Sequence, residues 1–296
     1  MSEISDRVRV DWLKGDTERD AGLKPPASVI RYDNISYGPD SKWNILDLYL
    51  PKKKAPQNGF PIIISIHGGG YIYGTKEIYQ FYGMNMAKRG FAFVNFNYRL
   101  APEAKFPTAL EDTNNVVKWV LQKAPTLYPV DTGHIFMVGD SAGGHYNALY
   151  SCICTNPSYA KLLKITPPKG FVPLALGLNF GIYDPLAVKD DSDHDAYTQD
   201  LMGSKWREKS AKYLCTPSFV NDDFPPCFLA SGSNDFLKHQ VPILEQALTE
   251  HHIPHFTKIY GRPGEEQYYH VFHCNSKTKE GRIFNDEQAR FFKQFL

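Results

Sequence analysis

A serine in a glycine-flanked turn is the residue of this chain best suited to chemistry. Residues 139–143 read Gly-Asp-Ser-Ala-Gly, a G-x-S-x-G motif centred on Ser141. The motif directly follows an apolar run at 134–138, which predicts a buried strand, and precedes a predicted helix over about 142–155. A strand that turns sharply into a helix exposes the serine beside the helix N-terminus, and the two glycines fit where side chains would clash. The motif predicts a nucleophilic serine, the alternative being a tight turn without chemistry.

Three consecutive glycines follow a second apolar run, and such a loop suits the binding of developing negative charge. The run at 61–66 leads into His67 and then the glycines. Because glycines are costly in backbone entropy, three together indicate that backbone N–H groups must approach a reacting atom. We expect the N–H groups of Gly69, Gly70 and Ala142 to form an oxyanion hole, with a flexible turn as the alternative. His67 precedes the serine in the chain and is expected to brace the loop by hydrogen bonding.

A nucleophilic serine needs an acid and a histidine, each on a loop that follows a strand. Asp235 follows a predicted strand at 227–231, and a helix N-cap is its alternative or additional role. His270 and His273 both follow a predicted strand at 256–260 and precede the last helix. His270 is preferred as the base, and His273 stays open as the alternative.

The segments that must position these residues alternate between strands and helices. Strands are predicted at 30–37, 44–50, 61–66, 91–96, 134–138, 171–178, 227–231 and 256–260, and helices over about 106–120, 142–155, 239–251 and 286–296. This alternation predicts an α/β fold, a mainly parallel sheet covered by helices on both faces, in a single domain over residues 1–296. The last helix is predicted to start from Asn285 as N-cap and to bury Phe291, Phe292 and Phe295.

Two segments break the alternation. Residues 1 to about 27 are polar and predict a short helix and an arm that ends in two prolines. Residues of about 181–218 are rich in Asp and Tyr and show no clear strand. We interpret this second segment as an insertion over the carboxyl edge of the sheet, where ligands bind in open α/β folds.

Composition excludes several classes of partner. The 296 residues carry 33 basic and 32 acidic side chains, a formal net charge of +1, which argues against nucleic acid and anionic membranes as partners. The five cysteines are odd in number and match no zinc pattern, so free thiols in a reducing compartment are expected. The charged N-terminus resembles no signal peptide, and no apolar run is long enough to span a membrane. These features predict a cytoplasmic location.

Jointly, these motifs resemble the hormone-sensitive lipase-like family of α/β-hydrolases. The resemblance rests on residues 67–70 (HGGG), 98–103 (YRLAPE), 106–107 (FP) and 139–144 (GDSAGG), with support from 235–237 (DFL) and from 270–272 (HVF), which is similar to the family's His-x-Phe. It implies an α/β-hydrolase fold, a catalytic triad of Ser141, Asp235 and His270, and a small cap made from the two irregular segments. Val271 stands where the family often has glycine, and the loop 261–269 is longer than expected.

The expected activity is hydrolysis of carboxylic esters by a serine hydrolase through an acyl-enzyme, with no metal or cofactor. Tyr71 and Tyr73 follow the glycines and are expected to bind substrate and narrow the pocket, which favours short acyl groups, acetyl above all. The expected partner is a small-molecule ester of a simple alcohol or sugar, with a homodimer left open. The alternatives are an amide or formamide hydrolase with the same triad and a non-catalytic ligand receptor on the same scaffold.

Overall fold

A computed structural model describes residues 2–188 and 192–296 of the chain. In this part of the chain, eight strands form one sheet in the order β1-β2-β4-β3-β5-β6-β7-β8. The strands are β1 (Val29–Ser36), β2 (Ile45–Pro51), β3 (Phe60–Ile66), β4 (Ala92–Phe96), β5 (Val130–Asp140), β6 (Leu176–Asn179), β7 (Cys227–Gly232) and β8 (His255–Tyr260). Strand β2 runs antiparallel to both β1 and β4, and the pairs from β4 to β8 are parallel. The predicted α/β class is confirmed.

Helices cover both faces of this sheet. They are α1 (Glu3–Asp20), α2 (Gln80–Lys88), α3 (Thr108–Gln122), α4 (Ala124–Leu127), α5 (Ala142–Thr155), α6 (Pro157–Leu163), α7 (Ser192–Met202), α8 (Trp206–Leu214), α9 (Gln240–Glu250) and α10 (Lys279–Phe292). Helix α5 is buried along nearly its whole length, which explains why its sequence lacks a polar face. No helix in the described ranges is long and apolar enough to cross a membrane. The five cysteines are free thiols.

The carboxyl ends of four parallel strands bring the predicted chemistry to one edge of the sheet. Strand β3 leads into the glycine loop, β5 into Ser141, β7 into the loop of Asp235 and β8 into the loop of His270. Helix α1 and helices α7 and α8 come from the two segments predicted as cap elements. Met1 and residues 189–191, which belong to those segments, lie outside the described residues.

Two predicted element boundaries are wrong. Helix α10 starts at Lys279, because Thr278 is its N-cap and accepts a hydrogen bond from the Gly281 N–H. Asn285 is instead buried in the middle of that helix. Strand β6 spans only Leu176–Asn179 rather than 171–178, since Pro173 has no N–H to donate to a neighbouring strand.

A buried histidine ties helix α5 to the glycine loop and to helix α8. The Leu214 carbonyl lies 2.7 Å from His145 Nε2, which must therefore donate, so Nδ1 accepts from the Tyr71 hydroxyl at 2.9 Å. Full burial lowers the pKa of His145 to about 4, and burial likewise lowers the pKa of His67 to about 4. Both side chains are consequently neutral in the folded protein at pH 7.

This burial predicts acid sensitivity of the fold. As pH falls from about 6.5 towards 4, the unfolded chain protonates His145 while the folded protein does not, so the free energy of unfolding decreases. Between pH 7 and pH 5 the loss from His145 amounts to about 2 kcal/mol. Urea unfolding at both pH values should show a smaller decrease for His145→Gln than for the wild type. An equal decrease in both proteins would contradict this assignment.

Candidate active site

Close packing around Ser141 forces the nucleophile candidate into a strained turn. Ser141 has φ 52° and ψ −123°, and its N–H donates to the Asn179 carbonyl of β6 at 3.0 Å. A Cβ at Gly139 would lie 2.2 Å from the Gly143 oxygen, and a Cβ at Gly143 would lie 2.1 Å from the Ile66 oxygen. Both glycines are therefore required for β5 to turn into α5 against β3, as the motif predicts.

The glycine loop presents backbone N–H groups beside this turn. Gly69 and Gly70 have φ values of 116° and 56°, and the Gly69 carbonyl accepts from the N–H groups of Ile72 and Tyr73. Within residues 2–188 and 192–296, no acceptor meets the N–H of Gly69, Gly70 or Ala142. Their free N–H groups, together with the N-terminus of α5, make these residues suitable donors for an oxyanion.

His67 lies beneath this loop rather than facing substrate. Its Nδ1 lies 2.8 Å from the Gly68 carbonyl, and its ring stacks on Tyr98 with a centroid separation of 4.1 Å. The Tyr98 hydroxyl donates in turn to the His67 carbonyl at 2.8 Å. These contacts correspond to the bracing role expected of His67.

A buried Asp235 and a half-buried His270 form a hydrogen-bonded pair at the same edge of the sheet. His270 Nδ1 lies 2.7 Å from Asp235 Oδ1, and the Ser231 hydroxyl and the Leu237 N–H also donate to this carboxylate. Burial alone would raise the pKa of Asp235, but the facing His270 and these hydrogen bonds outweigh it and hold the pKa below its usual range. Asp235 is consequently ionised, and Nδ1 of His270 is the protonated nitrogen that donates to it.

His273 occupies a different environment. Its ring is fully buried, stacked on Phe180 with a centroid separation of 5.2 Å and tilted against Phe284 at 5.1 Å. The structure therefore pairs Asp235 with His270 and places His273 in an aromatic cluster. Val271, between them, has φ 55°, a left-handed conformation that a β-branched residue adopts only at a cost and glycine adopts freely.

A cavity of about 590 Å³ joins these groups. Its walls include Ser141, Gly69, Gly70 and His270, with Trp12, Asp16 and Arg19 from α1, His194 and Tyr197 from α7, and Tyr73, Tyr79, Phe236, Tyr269 and Asp140 from loops and strand ends. The two segments predicted as cap elements thus supply much of the lining of this cavity. None of the α1 or α7 residues carries a motif, which is why the sequence did not predict them.

One predicted substrate contact is wrong. Tyr71 does not line this cavity: its backbone has φ 72°, and its ring is buried against Tyr146 while its hydroxyl bonds His145. The left-handed turn sends the Tyr71 side chain into the core. Tyr73, two residues later, does line the cavity and donates from its hydroxyl to Asp16 at 2.7 Å.

A second carboxyl group lies beside the serine. Asp140 is buried at the end of β5, where burial raises its pKa to about 7, and the Tyr79 hydroxyl donates to its Oδ2 at 2.7 Å. The same Tyr79 oxygen accepts from the Gly68 N–H at 3.0 Å. One hydroxyl therefore links the strand end that carries Ser141 to the glycine loop.

Comparison with known proteins agrees with this architecture. The structure superposes on esterase B from Lactobacillus rhamnosis with a TM-score of 0.89 at 24% identity, covering 99% of this chain and 95% of that one. The fold defines the chain as an α/β-hydrolase. The BD-FAE family model matches residues 46–248, and the chain belongs to that family. The predicted fold and the resemblance to esterases of the hormone-sensitive lipase-like group are confirmed.

Curated relatives are esterases that match part of their length. Probable carboxylesterase 5 from Arabidopsis thaliana is 30% identical over 243 residues, which is 77% of this chain and 71% of that protein. Acetyl esterase from Salmonella typhi is 27% identical over 66% of this chain and 61% of its own. Probable carboxylesterase 7 from Arabidopsis thaliana matches over 49% of each chain, so the match spans only about half of that relative.

Substitution by alanine should have opposite effects on stability at a tightly packed glycine of the Ser141 turn and at an open glycine of helix α1. Gly143→Ala should destabilise the fold by about 2 kcal/mol or more, because its Cβ meets the Ile66 backbone oxygen. Within the described ranges, no atom beyond the neighbouring residues and nearby backbone of α1 lies within 4 Å of the position that a Cβ would take at Gly15. Gly15→Ala should therefore stabilise by about 0.5–1 kcal/mol through helix propensity. Urea unfolding measures both, and a Gly143→Ala protein as stable as the wild type would contradict the packing argument.

Proposed function

We propose that the chain hydrolyses carboxylic esters with Ser141 as nucleophile, Asp235 as acid and His270 as base. The observation that carries this proposal is the 2.7 Å contact between His270 Nδ1 and Asp235 Oδ1, in a cavity that Ser141 also lines. Membership of the BD-FAE family and the esterase relatives support the reaction class.

The geometry suggests the following steps. His270 Nε2 takes the proton from Ser141 as the hydroxyl oxygen attacks the ester carbonyl, and Asp235 stabilises the resulting imidazolium. The oxyanion accepts hydrogen bonds from the N–H groups of Gly69, Gly70 and Ala142. The alcohol leaves with the proton from His270, and an acyl group remains on Ser141. Water, deprotonated by His270, then releases the acid and restores the serine.

Variants of the triad test this mechanism. Ser141→Ala and His270→Gln should each lower kcat for p-nitrophenyl acetate by about 10⁴-fold or more, and the double variant should lose little further, because the residues act as one unit. Asp235→Asn should lose about 10⁴-fold, since an amide cannot stabilise the imidazolium.

The matched control is His273→Gln, since His273 lies three residues from His270 but has no contact with Asp235 in the part of the chain described. It should retain a measurable fraction of activity per folded molecule. An active Ser141→Ala enzyme, or a His273→Gln enzyme as inactive as His270→Gln, would refute the assignment.

We further propose that short acyl groups, acetyl first, are the preferred substrates. Helix α1 and helix α7 close over the glycine loop: a Cβ at Gly70 would lie 3.2 Å from Trp12 and 3.4 Å from Tyr197. A long acyl chain extending from a carbonyl at the oxyanion donors would meet this aromatic wall. The similarity to an acetyl esterase points the same way.

A series of p-nitrophenyl esters from acetyl to decanoyl tests this preference. We expect kcat/KM to fall at least about 10-fold between butyryl and decanoyl, a loss of about 1.4 kcal/mol in transition-state stabilisation. Trp12→Ala should make the fall of kcat/KM with chain length smaller, because it removes an aromatic side chain from the surface over Gly70. Val10→Ala is the control, because Val10 lies on the same helix with 68% of its surface exposed. A wild-type enzyme that prefers decanoyl esters would refute the short-chain proposal but not ester hydrolysis.

A further inference from the structure

Three side chains with metal-binding atoms meet behind the active-site cavity. Asp140 lies at the end of β5, and His273 and Cys274 lie in a short 3₁₀ turn, Phe272–Cys274, that follows His270. One ligand atom from each residue lies within 4.8 Å of the other two, and all three residues are at most 3% exposed. The proposed ester hydrolysis uses neither His273 nor Cys274, and the motifs of the sequence include only Asp140.

The donor set matches the preference of one group of cations. A carboxylate oxygen, an imidazole nitrogen and a thiolate sulfur together suit Zn²⁺ and ions that bind like it, such as Co²⁺. Tetrahedral Zn²⁺, with Zn–S of about 2.3 Å and Zn–N of about 2.0 Å, requires sulfur and nitrogen about 3.5 Å apart. Cys274 Sγ lies 3.6 Å from His273 Nε2. The ligand atoms of all three residues lie within 4.8 Å of one another, so small side-chain movements complete the site.

The surrounding contacts support two of the ligands. The His273 ring is held between Phe180 and Phe284, and its carbonyl accepts from Asn285 Nδ2 at 3.0 Å. Asp140 Oδ2 accepts from Tyr79, whereas its Oδ1 accepts from no residue in the described ranges. Asp140 also lines the cavity, whereas His273 and Cys274 do not, so an ion would enter from the side of the Asp140 carboxylate.

We propose that Asp140, His273 and Cys274 form a binding site for a thiophilic divalent cation of the zinc type, and that its occupation inhibits the enzyme. Binding forms metal–oxygen, metal–nitrogen and metal–sulfur bonds and releases the Cys274 thiol proton to solvent, with no change in oxidation state. The bound ion would draw the Asp140 carboxylate away from Tyr79 and so disturb the link to the glycine loop. The site stands independently of the proposed function, and only the inhibition rests on it.

Cobalt provides a direct test of the ligands. Titration of the full chain with Co²⁺ should give a thiolate-to-cobalt charge-transfer band that saturates at one ion per chain. Cys274→Ser should lose the band, and Cys227→Ser, which alters another buried cysteine, should keep it. Asp140→Asn should keep the band but bind Co²⁺ with at least about 10-fold weaker affinity. This variant provides the test if Cys274→Ser fails to fold. No band in the wild type, or an undiminished band in Cys274→Ser, would overturn the proposal.

The same variants separate this site from the catalytic pair. His270→Gln should bind Co²⁺ as the wild type does, and an equal loss of affinity in that variant would place the ion at His270 and overturn the proposal. Zn²⁺ should inhibit p-nitrophenyl acetate hydrolysis by the wild type, with each protein compared with its own metal-free rate. The inhibition constant should rise at least about 10-fold in Cys274→Ser and stay unchanged in Cys227→Ser. If no esterase activity exists, the cobalt band still decides whether the site binds metal.

Discussion

The close approach of β5, α5 and β3 is the constraint on which the candidate site depends. There is no room for a side chain at either glycine of the turn, since each Cβ would lie within 2.2 Å of a backbone oxygen. The strand can therefore enter the helix only with Ser141 in the left-handed region, at φ 52°. The N-terminus of α5 and the glycine loop that follows β3 are thereby brought to the same place. The same packing therefore positions both the proposed nucleophile and the proposed donors for its oxyanion.

Polar contacts of helix α1 extend this arrangement to the cavity. Arg9 donates to the carbonyls of Ile72 and Ala101, each at 2.7 Å, and so ties the helix to the segment after the glycine loop. Arg19 pairs with Asp16 at 2.6 Å and with Asp20 at 2.7 Å. These ion pairs are largely shielded from solvent, and the hydrogen bonds of Arg9 to fixed backbone groups set the direction in which α1 crosses the cavity. The aromatic wall over Gly70 follows from that direction.

The parts of the site that sequence predicts are those that local packing dictates. Gly139 and Gly69 each meet the backbone of a residue four positions further on, and Gly143 meets the backbone of the neighbouring strand β3; a motif records such backbone requirements. Tyr71 shows where prediction from sequence fails. The direction of its side chain depends on a left-handed turn at φ 72° and on a hydrogen bond to His145, which is far along the chain. The position of Trp12 over Gly70 likewise depends on polar contacts between segments that are distant in the chain. The start of helix α10 is ambiguous in the sequence because Thr278 and Asn285 both suit an N-cap, and only burial distinguishes them.

Two carboxyl groups of the site differ because their surroundings differ. Asp235 faces His270 and accepts from Ser231 and from a backbone N–H, which holds its pKa low, whereas burial raises the pKa of Asp140 to about 7. The first group is suited to carry charge opposite the imidazole. The second is suited to hydrogen bonding, and through Tyr79 it holds the turn and the glycine loop in register. A change in the charge or position of Asp140 would therefore act on this link between the Ser141 turn and the glycine loop.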